Sequence, residues 1–209
     1  MTPLVFASFR GMRVGVGEYL IIFAAILIGL AVADLSLSLH RLLRQGSDIK
    51  WHPIVPITGF IVLCLILNLW WGLYRGFSQR EEIEFLAFLP TVFILLTLFL
   101  LAAAVFPDEK LGKGGSMLDF YLDNRVQFWG LFAAYLLLVT VNMWVTAWLA
   151  GAEPEAIFVN GLGNLAWFAG CVALMITRRM VFHWIVVALS LGAIFYSWSS
   201  VALTQAAAG

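Results

Sequence analysis

Six long runs of apolar residues set the terms on which this chain can fold: about 18–40, 52–74, 83–106, 127–150, 156–177 and 180–203. A helix that crosses a bilayer needs roughly 20 mostly apolar residues, and each run supplies them. Val, Ile and Phe are plentiful, yet the runs are too long for strands and lack the alternation of a membrane barrel. Only Arg178 and Arg179 separate the last two runs. As one helix, 156–203 would measure about 70 Å, too long for one membrane, so the two arginines mark a tight hairpin. The expected fold is all-α, a polytopic membrane helix bundle of six transmembrane helices.

Composition excludes the alternatives. Of 209 residues, 63% are apolar and 11% are Asp, Glu, Lys or Arg, where a soluble domain carries about 45–50% and 25%. So few charges cannot cover the surface of a soluble fold of this size. A soluble enzyme, a disordered chain and a nucleic-acid binder, which needs a basic face, are all excluded, and a formal net charge of zero leaves no global field to steer a partner. The partner that composition demands is the lipid bilayer. Cys64 and Cys171 fall inside apolar runs at different depths, so each reads as a small hydrophobe rather than half of a disulfide.

Residues 1–17 read as a short leader lying along the interface, and 18–209 as a single six-helix domain. Ala31-Val-Ala33 imitates a signal-peptide cleavage site. The run suffices to span once Leu35, Leu37 and Leu39 are counted, so it is read as a retained helix. Six spans put both termini on one face, with Arg10, Arg13, Arg75 and Arg80. Arg41, Arg44, Lys50, Lys110, Lys113, Arg125, Arg178 and Arg179 fall on the other, which by the positive-inside rule faces the cytoplasm. Trp51, Trp129 and Trp184 begin helices at that inner face, while Trp70, Trp71, Tyr74, Trp148, Tyr196 and Trp198 lie near outer ends, as interfacial aromatics should. In the longest loop, 107–126, Ser116 with Asp119 makes a capping-box-like start to a short interfacial helix carrying Met117, Leu118, Phe120 and Tyr121. Phe23-Ala-Ala and Phe132-Ala-Ala begin comparable positions of two three-helix halves, a faint sign of an inverted repeat.

The stretch Gly29-Leu-Ala-Val-Ala-Asp34 is followed by Leu39-His-Arg-Leu-Leu-Arg44, Trp51 and Trp70-Trp-Gly-Leu-Tyr74, then by Tyr121-x-x-Asn124-Arg125-x-x-Phe128. This pattern resembles a widespread set of small bacterial six-helix membrane proteins. The resemblance covers most of the chain on motifs of low specificity. It implies the span count and a bacterial inner membrane, where the cation count above makes both termini periplasmic; it implies no activity and no catalytic residue.

Polar groups inside the spans are the candidate site. An Asp at a helix centre costs about 2.5–3.5 kcal/mol on insertion scales. Asp34 is the one clearly internal acid, about 9 Å from the expected inner end of span one, with Ser38 and Arg41 one and two turns beyond on the same face. It reads as an ion or proton site, or as an acid that reaches the interface or pairs with Arg41 or a neighbouring helix. Asn68, Asn142 and Asn164, from spans two, four and five, lie about 9–12 Å below the outer face. They line the mouth of a pathway or serve as interhelical glue, the commoner role of such amides. Glu81, Glu82 and Glu84 cap the same side. Ala25, Gly29 and Ala33 form a small-residue stripe for close helix approach, Gly161 and Gly163 loosen the start of span five, and Pro90 is placed to kink span three.

No enzyme motif is present: no HExxH, no GxSxG and no histidine box. His40, His52 and His183 share no helix face at ligand spacing, so neither a metal nor a cofactor is expected. The reading is a non-enzymatic channel or transporter for an ion or small solute, oligomeric, with Asp34 at an inner site and the asparagines near the outer mouth. The alternative is a non-catalytic subunit or scaffold packed against other membrane proteins. A midplane whose only hydroxyls are Thr97, Thr140 and Ser190 motivates that alternative.

Overall fold

Lipid offers the backbone no hydrogen-bond partners, so each apolar run must satisfy its amides internally. The computed structural model describes residues 16–77, 85–107 and 111–207, with side chains 16, 47 and 200–207 left aside. The readings made on Arg10, Arg13, Arg80, Glu81, Glu82, Glu84 and Lys110, and on nearly all of the leader, lie outside these residues. Every run is helical: α1 Val16–Gln45, α2 Ile54–Phe77, α3 Phe85–Ala103, α5 Arg125–Leu149, α6 Pro154–Ile176 and α7 Met180–Ala207. Between them come the short helix α4, Met117–Asp123, and two two-residue strands, β1 Ile49–Lys50 and β2 Gly115–Ser116. Among the described residues, six of the seven α-helices are long and apolar enough to cross a membrane. The chain is an all-α, multi-pass membrane protein.

Local chemistry fixes the boundaries. Pro154 opens α6, where its missing N–H is no loss. The Ser116 side chain accepts from the Asp119 amide at 3.3 Å and starts α4. Thr177 turns extended, its hydroxyl accepts from the Arg179 amide at 3.2 Å, and the chain reverses into α7 at the arginine pair as expected. α1 outlasts its apolar run by a full turn and carries Arg41 and Arg44 along with it.

One end of the bundle is tied together, and we call it the α4 end. There β1 and β2 pair in parallel, Ile49 with Gly115 and Lys50 with Ser116. The Asn124 side chain donates to the Ala104 carbonyl at 2.7 Å, and Arg178 meets Asp123 at 3.3 Å. α4 does not merely rest on the interface: Met117 and Tyr121 are buried, and the helix plugs this end of the bundle.

Packing is uneven across the molecule. α1 lies on α2 and α3, α3 also on α5, and α5 packs most extensively on α6, whereas α6 and α7 barely touch. The two three-helix halves are therefore packed differently. Buried positions of α2 run from Ile54 to Ile66, those of α5 from Phe128 to Thr140, and those of α6 concentrate at Cys171 and Leu174. Most belong to the halves nearer the α4 end, whereas Gly161 of α6 and Thr140 of α5 lie beyond the midpoints of their helices. Along α1 and α3 burial continues to Ala24 and Phe88 at the far end. The α2–α5–α6–α7 side is thus closed at the α4 end and opens at the other between α2, α7 and the α5–α6 pair, which stays packed there through Gly161 against Trp144.

Candidate functional site

The splay forms a cleft of about 180 Å³. α2 contributes Ile61, Leu65 and Asn68, α5 contributes Trp129, Phe132 and Leu136, and Asn164, Trp167 and Cys171 come from α6. α7 supplies Ser190 and Ser197 among apolar neighbours. Asn68 and Ser197 also line an adjoining cavity walled by Trp70, Trp71 and Trp198, so the cleft continues toward the far end through an aromatic mouth. Apolar walls with a few convergent polar groups are the ordinary make-up of a small-molecule site.

Asn68 and Asn164 share this cleft at matching depth, about 14 and 15 Å from the far ends of their helices. Asn142 stands apart, half-buried on α5 and absent from the lining. The cleft-facing line of α5 is Trp129, Phe132 and Leu136, and six residues past Leu136 the helix has turned about 120° away from it. Equal depth was readable in the sequence; helix rotation was not.

The closed end of the cleft is a buried hydrogen-bonded cluster. The Trp129 indole N–H donates to the Tyr121 hydroxyl at 3.2 Å. The hydroxyl lies 2.8 Å from Nδ1 of His183, whose Nε2 lies 3.1 Å from the Thr177 carbonyl. Because a carbonyl only accepts, Nε2 carries the proton, Nδ1 accepts, and Tyr121 donates to it. His183 is fully buried, and the side-chain polar atoms of Trp129, Tyr121 and His183 are all hydrogen-bonded. Burial pushes the Tyr121 phenol well above its ordinary range, so it stays protonated. Sequence reading placed His183 near an interface and missed this role. The available signal was a histidine inside an apolar helix, which must find a partner.

Asp34 lies on the opposite side of α2, where α1 packs on α2 and α3. Its Oδ2 is buried without a hydrogen-bond partner, and so is the hydroxyl oxygen of Ser38, one turn away and 2% exposed. Because α1 continues to Gln45, Asp34 lies eleven residues, or about 16 Å, from the helix end, deeper than the apolar run implied. Arg41 is exposed and does not pair with it; among the described residues the only ion pair is Arg178 with Asp123. His40 is exposed, His52 accepts from the Ile54 amide at 3.4 Å, and no group of three metal-ligating side chains converges among the described residues.

Comparison with protein-family models, with curated proteins and with solved structures finds no match to this chain.

Proposed function

We propose that this protein is a transporter of a small, largely apolar solute with a hydrogen-bonding group. The observation that carries the reading is the cleft itself, open at the far end, shut at the α4 end, with amides of two helices converging inside it. A solute enters past Trp70, Trp71 and Trp198, buries its apolar part against Phe132, Leu136 and Trp167, and bonds Asn68 and Asn164. The Tyr121–His183–Trp129 cluster closes the other side. Asp34 and Ser38 supply the ionisable element. Two unpartnered buried oxygens one turn apart on α1 call for a proton, a cation or water, and an ionisable group at this depth is a functional candidate by default. α2 is common to both sites, packing on α1 and walling the cleft, and so couples them.

The test is a panel of small amphipathic solutes, screened first by melting temperature in detergent and then by flux into liposomes. The reading expects a solute that stabilises the wild type, fails to stabilise Asn164→Leu, and crosses only liposomes that contain the wild-type protein. The scaffold reading draws on the outward Ala25–Gly29–Ala33 stripe, at which Gly29 meets nothing within 4 Å. Solutes that bind without crossing, or no flux from a protein that co-purifies with another membrane subunit, would favour that reading.

A further inference from the structure

At the α4 end, outside both the cleft and the Asp34 site, a second cavity of about 540 Å³ is lined by Arg41, Arg44, Gln45, Asp48, Leu111, Gly112 and Lys113. Three cations face one carboxylate, and none of the four charged side chains makes an ion pair with a described residue. Its two walls are held in register, since the Gly114 amide donates to the Asp48 carbonyl at 2.8 Å and β1 pairs with β2 beside it. The backbone segments on the two sides of the cavity are therefore tied to each other.

The glycines of the Leu111–Gly115 turn separate by cause. Gly114 has φ +79°, a conformation side chains rarely adopt. A Cβ on Gly115 would press on the Gly112 carbonyl and on Leu111, each at 2.9 Å. Gly112 has neither reason: its backbone is not left-handed and nothing stands within 4 Å of its missing Cβ. Gly112 lines the cavity, so a side chain placed there has room to enter it. The level in the membrane is set by Trp51, exposed beside the cavity with its indole N–H donating to the Gly46 carbonyl at 3.1 Å, and by exposed Leu43. A tryptophan so placed marks the headgroup region.

We propose that this cavity binds a phosphate-bearing anion, with Arg41, Arg44 and Lys113 around the phosphate and the Gly112 backbone at its edge. Arginine matches phosphate with two parallel donors, and basic pockets between membrane helices hold anionic headgroups. The phosphate comes from a lipid headgroup or from a soluble phosphorylated molecule, and the experiment separates these sources. The proposal does not depend on the transport reading.

The purified protein is titrated with short-chain phosphatidylglycerol, with phosphatidylcholine of the same chains, and with glycerol phosphate, binding being read by native mass spectrometry. Wild type is expected to take up phosphatidylglycerol saturably and in preference to phosphatidylcholine. Arg41→Gln/Arg44→Gln/Lys113→Gln should weaken uptake on the order of 100-fold. Arg178→Gln, a cation at the same end with its own partner, should not. Gly112→Glu has open space for its side chain, folds normally and blocks the site with a competing carboxylate, which keeps the test decisive should the triple variant fail to fold. Saturable binding of glycerol phosphate alone, lost in the same variants, assigns the site to a soluble phosphate. Equal uptake of both lipids, or uptake unchanged in Gly112→Glu, overturns the proposal.

Discussion

Tyr121 holds the closed end of the cleft through one oxygen that accepts from Trp129 and donates to His183. Tyr121→Phe keeps the ring and removes that oxygen, leaving the indole N–H and the imidazole Nδ1 buried and unpaired. Each orphan costs about 1–3 kcal/mol, so the variant should melt well below wild type; equal melting temperatures would show that the cluster does not secure this end. Asp34 behaves in the opposite way. Breaking a buried ion pair costs about 3–5 kcal/mol, but Asp34 has no such partner among the described residues. Asp34→Asn should therefore leave melting unchanged while flux falls. Flux and stability both equal to wild type would remove Asp34 from the mechanism.

Helix contacts divide the glycines as sharply as the polar residues. A Cβ on Gly161 would overlap the Trp144 ring, so this glycine does not loosen α6 but lets it press against α5. Gly161→Ala should lower stability by about 1–3 kcal/mol through overpacking, visible in thermal melting. Gly29→Leu is the contrasting case: α1 buries Ala24, Ile28, Ala31, Leu35, Ser38 and Leu42, and the small-residue stripe faces outward. Monomer melting should be untouched by that change, and a shift in oligomer size alone would identify the stripe as a contact between subunits; loss of monomer stability would contradict the packing described. The contrast shows what the sequence could carry. Apolar run length, the arginine pair and the Ser116 cap give six spans, a hairpin and α4, because each is a local property of the chain. Which face of a helix meets which neighbour is not local where nearly every residue is apolar. Hence Asn68 and Asn164 line one cleft while Asn142 does not, and the Tyr121–His183 contact, 62 residues apart, left no pattern to read.

The molecule is asymmetric end to end: tied by α4, the strand pair and the Arg178–Asp123 contact at one end, splayed at the other. The positive-inside rule predicts that the cation-rich α4 end faces the cytoplasm, so a cysteine at Ser116 should be shielded from impermeant thiol reagents in intact cells and one at Ala152 should react; the reverse pattern would invert the orientation. Transport requires more than orientation, because the interior of the cleft must be reached from each side in turn. Ser190 lines the cleft midway along α7, while Leu189, exposed on the bundle surface, serves as the lipid-facing control. In a background with Cys64 and Cys171 replaced by alanine, Ser190→Cys should react with impermeant reagent applied from either face of the membrane, faster from the Ala152 side, and well above Leu189→Cys. Reaction from the Ala152 side alone, or none above the control, would contradict transport and leave a membrane protein whose cleft opens in one direction only.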